Sequence, residues 1–380
     1  MALYEIAVLG RPTGDQIAAL TAQFERAAAD FKLTIGDTIA LSIDPTDFVP
    51  NVRTCAAAVF FGYSGGSALS LNGVVDPVSV PVVPIASTAK AVSNEIPVEL
   101  RSLNCLFADT ASPERIFSAI LACLGLLPRQ RRVFLSYRRD EATAAAVQLF
   151  AELCARQFDV FLDTHVIEAG VLFQEALWHE LCTSDVLMML ETPNYFESRW
   201  TNAEYGRALA KGIGVVRIQW PDATPSVKTA TASRVELLAE ELGANGMLAD
   251  SAIQRICIQL EAVRCLSHAT RQLSMISAVQ SAIERVEGAF HGIGLNRAIH
   301  VSLRSGKQLH VQPVIGVPTA HTLQHAMEQS GGNGCAVVYD HFGIRPDWLS
   351  HLTWLAEQID GAKWIRQTDC SWEFGGWEAA

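Results

Sequence analysis

Short apolar runs of five to eight residues alternate with segments of helical spacing along most of this chain, and connections of only a few residues join them. Such runs are too short to be buried helices and too closely followed by helices for hairpins. The pattern therefore demands parallel strands joined by crossover helices, with both sheet faces covered. Residues 4–9, 38–42, 56–61 and 78–85 read as strands before residue 128, with helices over 15–29 and 112–126. Pro81 and Pro84 lack the amide hydrogen a ladder needs, so 78–85 is expected at a sheet edge at best. The alternation is better defined from 133 to 220: strands 133–137, 159–162, 185–190 and 215–219, helices 142–156, 173–182 and 202–211. This fits a compact doubly wound sheet.

The basic cluster Arg129, Arg131 and Arg132 marks one boundary, and a loop rich in Pro, Thr and Ser over 221–233 marks another. Residues 235–289 read as largely helical, broken near 243–246. The stripe Ile253, Ile256, Leu260 and Val263 is read as a core face rather than an oligomer seam. From 292 a smaller α/β unit is expected, with a hairpin over 298–314, helices 319–329 and 346–358, and strands 335–339 and 363–366. The expected domains are thus 1–128 (α/β), 129–220 (the doubly wound sheet), 221–290 (linker and helix) and 291–380 (small α/β).

Charge and composition exclude some function classes. The chain carries 29 Lys+Arg against 40 Asp+Glu, a net charge of −11, which argues against general nucleic-acid binding. No apolar run approaches the ~20 residues of a membrane-spanning helix, and residues 1–10 lack the pattern of a signal peptide. Nine cysteines with no CxxC pair read as reduced thiols of a cytoplasmic protein.

The stretch with most chemistry runs RRVFLSYRRDE (131–141), FDVFLDTHVIEAG (158–170) and SDVLMMLETPNYFESRWTNAEYGRA (184–208). Its first strand delivers Ser136, Tyr137, Arg138 and Arg139 to a carboxyl end, where open α/β sheets collect ligands. Adjacent arginines there suit phosphates or a partner's carboxylates, or form a solvated basic loop. Gly170 follows the second strand, where a left-handed turn favours glycine. Phe173 is either the first core residue of the next helix or an aromatic platform. Trp200 and Glu204 stand four apart, on one face if the helix includes both. Taken alone, Glu204 reads as a surface residue pairing with Arg199 or Arg207.

These motifs, in this order and spacing, resemble the TIR (Toll/interleukin-1 receptor) domain, over residues 131–220. The resemblance implies a flavodoxin-like central domain of the bacterial NAD⁺-hydrolase effector type. It implies cleavage of the nicotinamide–ribose bond, with Glu204, at the end of W-x-x-x-E, as the catalytic carboxylate. Ser136, Tyr137, Arg138, Arg139, Asp163, Phe173 and Trp200 would line the substrate site. The loop with Glu168 and Gly170 would gate it and contact neighbouring TIR domains. NAD⁺ is then a substrate, with no cofactor and no metal. The resemblance also implies self-association, a role in antiphage-type immunity, and sensing of a small-molecule or protein activator by the flanking regions. A non-catalytic interaction module, and a nucleotide sensor with a relay TIR domain, are the alternatives.

Three other signals are weaker. Gly62-Tyr63-Ser64-Gly65-Gly66 matches G-x-S-x-G, but a tight glycine loop, able to cradle a phosphate, fits its context better than a nucleophile elbow. His321 and His325 have helical spacing but no accompanying ligand pattern, and read as ordinary histidines. Five of eight tryptophans fall beyond residue 345, as core filling or as a docking surface.

Overall fold

The computed structural model describes residues 2–127, 130–162 and 173–379. In the described residues it divides into two compact units: Met1–Leu127 with Ala269–His341 and Asp347–Ala380, and Pro128–His268 with Phe342–Pro346. Segments from the two ends of the chain thus share one unit.

The N-terminal segment runs β1 (Tyr4–Gly10), α1 (Gly14–Phe31), β2 (Ile39–Ile43), β3 (Cys55–Phe61), β4 (Val82–Ala86), α2 (Val92–Glu95), β5 (Leu106–Phe107) and α3 (Pro113–Leu124). All five strands are parallel, in the order β2-β1-β3-β4-β5. Local chemistry sets the helix ends. Thr13 and Gln16 form a reciprocal capping box on α1, and Ser112 caps α3 ahead of Pro113. Gly10 turns the chain out of β1 at φ 84°, and a Cβ there would meet the Phe61 carbonyl oxygen, so only glycine fits.

The edge assignment of 78–85 is corrected. β4 is an interior strand between β3 and β5, with Pro84 in register with Phe60. The ladder explains the tolerance. Ile85 bonds towards β3 and Ala86 towards β5, so Pro84 faces the β5 side, and β5 pairs only with Ile85 and Ala86. The missing amide hydrogen therefore removes no ladder bond. The 62–66 loop is followed by a 3-10 turn (Gly66–Ala68), so the helix of a nucleophile elbow is replaced.

The other unit holds β6 (Arg132–Ser136), α4 (Arg139–Cys154), β7 (Asp159–Leu162), α5 (Phe173–Thr183), β8 (Val186–Glu191), α6 (Arg199–Ala210), β9 (Gly214–Gln219) and β10 (Ser233–Glu236), and the first half of α7 (Asp250–Arg285), as far as His268. Its strands are all parallel, in the order β7-β6-β8-β9-β10. Side chains alternate along each strand between two cores, as a sheet buried on both faces requires. Val133, Leu135, Val186, Met188 and Val216 pack with α4 and α7, and Phe134, Leu187, Met189 and Val215 pack with Leu177 and Leu181 of α5 and Ala208 of α6. Ile253, Ile256 and Leu260 belong to the first of these cores, as expected. The structure places a fifth strand, β10, at 233–236, where the sequence reads as loop and helix. Its alternating Ser-Arg-Val-Glu has only Val235 buried. Arg131, in the basic boundary cluster, is buried and ion-paired to Glu261, which Arg264 also contacts.

The C-terminal segment adds β11 (Ala289–Ile293), β12 (Ile299–Ser302), β13 (Gln308–Val314), α8 (Ala320–Ser330), β14 (Gly334–Tyr339), α9 (Pro346–Glu357), β15 (Ala362–Arg366) and α10 (Cys370–Ala379). Its sheet is mixed: β11 to β13 antiparallel, then β13 to β15 parallel. β11 and α10 are additions to the elements read from sequence. This sheet joins the N-terminal segment through bonds from Asn104 Nδ2 to the Gln329 carbonyl (2.8 Å) and from the Ile293 amide to the Pro77 carbonyl (2.8 Å).

All nine cysteines are free thiols. Among the described residues no helix is long and apolar enough to cross a membrane.

Candidate active site

In a doubly wound sheet the chain leaves two neighbouring strands in opposite directions at one point, and a crevice opens at their carboxyl ends. In the central sheet that point lies between β6 and β8. Ser136 ends β6, in register with Met189 of β8. The segment after β8 turns through a 3-10 turn, Tyr195–Glu197, into α6, which carries Glu204.

These three elements bring three buried polar side chains together. Ser136 Oγ donates to Glu204 Oε2 at 2.5 Å, and lies 2.7 Å from the Tyr195 hydroxyl. A serine hydroxyl has one proton. Since Ser136 gives its proton to the carboxylate, Tyr195 must donate to Ser136. The relay therefore runs from Tyr195 through Ser136 to Glu204. Burial, then the adjacent Glu204 carboxylate, raises the Tyr195 pKa well above its ordinary value, so the phenol remains a donor. Thr201 Oγ1 donates to the Tyr195 carbonyl at 2.7 Å and ties the turn to the first turn of α6. Phe196 packs edge-on against the Tyr195 ring, centroids 5.0 Å apart.

A second buried polar group lies on the neighbouring strands. Arg217 of β9 pairs with Glu191 at the end of β8 (3.1 Å) and donates to Thr229 Oγ1 (2.8 Å). Its pairing keeps two buried charges compensated beside the Tyr195 turn.

Of the residues singled out from sequence, Ser136 and Glu204 meet directly. α6 starts at Arg199, so Trp200 and Glu204 do share a helix. Tyr137 is buried. Arg138 points back onto the protein: it donates to the Asn194 carbonyl at 2.7 Å and to Glu197 at 3.0 Å, and its Nε is 3.5 Å from Glu141. These contacts, with Asn194 Nδ2 donating to Glu141 Oε1 (2.7 Å), fasten α4 to the Tyr195 turn. Burial works to raise the pKa of Glu141, but the Thr192 and Asn194 donors and the charge of Arg138 together outweigh it, and the pKa is lowered. Arg139 is exposed on the first turn of α4. Asp163, Glu168 and Gly170 lie outside the described residues, as do the side chains of Phe173 and Trp200.

Tyr195 is the residue that sequence reasoning missed. Its only signal is a tyrosine four residues past a strand end, which is indistinguishable from an ordinary loop aromatic until the turn is folded. Among the described residues no group of three or more His, Cys, Asp or Glu is arranged to hold a metal ion. His321 and His325 stack on one face of α8 with ring centroids 6.2 Å apart.

A parallel sheet in the order 2-1-3-4-5 by strand sequence, with a buried carboxylate at its switch point, defines a doubly wound, flavodoxin-like domain. Residues 133–244 match the family model of the TIR domain, and this segment of the chain is a TIR domain. The match runs past residue 220 and includes β10, the fifth strand. No curated protein matches the chain. Among solved structures, one match is the crystal structure of tagatose-6-phosphate ketose/aldose isomerase from Escherichia coli. It is 12% identical and covers 70% of this chain and 83% of that one, with a TM-score of 0.20, at which no conclusion about fold or chemistry follows.

Proposed function

We propose that the TIR domain is an NAD⁺ glycohydrolase with Glu204 as its catalytic carboxylate. The observation that supports this reading is the carboxylate itself, buried at the sheet's switch point and held by a hydroxyl relay. The reaction needs no general acid at the leaving group. The bond between ribose C1′ and the cationic pyridinium nitrogen breaks, its electron pair goes to nitrogen, and neutral nicotinamide departs. Positive charge then develops on the ribose ring, where a fixed carboxylate stabilises it. Water adds at C1′ and releases a proton, giving ADP-ribose. Attack by the adenine of the same molecule would give a cyclic product.

In this reading Ser136 and Tyr195 are positioning residues that hold one carboxylate oxygen. NAD⁺ is the substrate, and Arg138, in contact with Asn194, Glu197 and Glu141, and Arg139, exposed on the first turn of α4, are both candidates for its phosphates. Self-association of TIR domains would complete the pocket, and the activity would serve defence in the cytoplasm by depleting NAD⁺. The engagement of Glu204 by Ser136 also suits a non-catalytic TIR module, in which the relay is purely structural.

The full chain, assayed for NAD⁺ loss and products at concentrations where it self-associates, separates these readings. Release of nicotinamide that Glu204→Gln abolishes is expected. Equal, slow loss in both proteins would defeat the enzymatic reading.

A further inference from the structure

The unit that contains the N-terminal and C-terminal sheets holds a cavity of about 590 Å³ at the amino ends of β3 and β4, walled on one side by α7. Its volume is that of a site for a drug-sized molecule. Phe48, Leu71, Val75 and Ile276 form an apolar interior. Two valines at the same cavity, Val49 and Val52, are 86% and 77% exposed, so the lining continues as an apolar surface.

Its polar lining is uncompensated. Arg297 is 7% exposed, and its Nε donates to the Cys123 carbonyl. No carboxylate among the described residues lies within ion-pair distance of it. A buried cation without a counter-charge is costly, and a bound anion is the direct remedy. Arg297 also has a left-handed backbone, φ 60°, directly after Asn296 at φ 53°. Two successive non-glycine residues in that region are the kind of strain that persists where a side chain must be aimed. Gln272, from α7, is as buried as Arg297, and its Nε2 has no acceptor among the described residues. The acids at the cavity do not answer these donors. Asp76 accepts from the Val78 amide (3.1 Å) and from Ser79 Oγ (2.5 Å) within its own turn. Glu99 accepts from Ser70 Oγ at 3.4 Å, and its Oε2 is itself without a partner among the described residues.

We propose that this cavity binds a small amphiphilic anion: an apolar ring body bearing one carboxylate, sulfonate or phosphate, with the anionic group on Arg297 and the Gln272 amide as second donor. An N–H or O–H on the ring body would meet Glu99. The site stands apart from the TIR chemistry and does not depend on it.

The test uses the full chain and two fluorescent probes, 8-anilinonaphthalene-1-sulfonate and the uncharged N-phenyl-1-naphthylamine, titrated at neutral pH and physiological salt. The anionic probe is expected to saturate at one per chain. Arg297→Gln should weaken it about ten-fold or more, the worth of a charged hydrogen bond, and leave the neutral probe within about two-fold. Gln272→Leu should weaken the anionic probe by about three-fold and spare the neutral one. Equal affinity of the anionic probe for the unsubstituted chain and both variants would overturn the proposal. If Arg297→Gln fails to fold, Gln272→Leu decides, together with the preference of the unsubstituted chain for the anionic probe. Loss of that preference is equally fatal.

Discussion

The relay through Ser136 makes a prediction about sign as well as size. Tyr195→Phe removes one buried hydroxyl while keeping the ring that packs on Phe196. In the otherwise unchanged chain it deletes the 2.7 Å bond to Ser136 Oγ, which still donates to Glu204 at 2.5 Å. The expected cost is that of one neutral hydrogen bond, about 1 kcal/mol. Ser136→Ala is harsher. It leaves the buried Tyr195 hydroxyl without its acceptor and removes the Ser136 hydrogen bond to the Glu204 carboxylate, at about 2–4 kcal/mol. In that background Tyr195→Phe removes an orphaned group instead of a bonded one, and should restore about 1 kcal/mol. The coupling between the two positions is then about 2 kcal/mol, far above the additivity error for separate sites. Hydrogen exchange of β6 and α6 amides in the full chain reads this locally, without requiring the two units to unfold together. Tyr195→Phe alone should speed exchange about five-fold, and in the Ser136→Ala background should slow it about five-fold. Equal acceleration in both backgrounds would show that the hydroxyl does not donate to Ser136, and the proposed direction of the relay would fall.

The remaining expectations concern stability and pH. Gly343 has φ 75°, and a Cβ on it would lie 2.4 Å from Cys182 Sγ; Gly343→Ala should cost about 1–3 kcal/mol, read as a lowered thermal midpoint of the TIR unit. Glu261 joins Arg131 and Arg264 in the buried ion cluster, so Glu261→Gln should destabilise by about 3–5 kcal/mol in urea unfolding, while a loss under about 1 kcal/mol would mean the cluster is solvated. Burial, with neighbouring histidines second, lowers the pKa of His300 to about 4 and of His310 to about 3. Folded pKa values below the unfolded one mean that the unfolded chain binds protons first as pH falls. Stability is therefore whole above the unfolded value and is lost progressively as pH drops towards 4, by up to about 1.4 kcal/mol per histidine per pH unit. Urea midpoints of the unit holding these residues should fall from pH 7 to pH 5, and His310→Leu should flatten that fall.

Much of the architecture is legible in local chemistry, because strand and helix periods are local properties. The β6, β7, β8 and β9 runs and their helices fall within a few residues of their expected bounds, and the motif from 131 to 208 identifies the TIR domain. Two misjudgements have tertiary causes. Pro84 looked forbidden inside a sheet because its tolerance depends on how short the neighbouring β5 is. Residues 233–236 read as loop running into helix because Ser233–Glu236 becomes a strand only by pairing with β9.

For the site the division is similar. Glu204, Ser136 and the arginines stand out by type and spacing, while Tyr195 and the commitment of Arg138 to Asn194, Glu197 and Glu141 do not. Hydrogen-bond partners separated by about sixty residues are chosen by the packing of β6, β8 and α6, and spacing carries no record of that choice. The same holds in the flanking unit. The sequence by itself determined parallel α/β layers, a TIR segment and a chain with thiols and few charges, since these follow from period, motif and composition. Only the tertiary structure decided that the chain's two ends form one unit and that Arg297 lies buried beside a cavity with no counter-charge among the described residues, because burial and charge pairing are properties of three-dimensional neighbours.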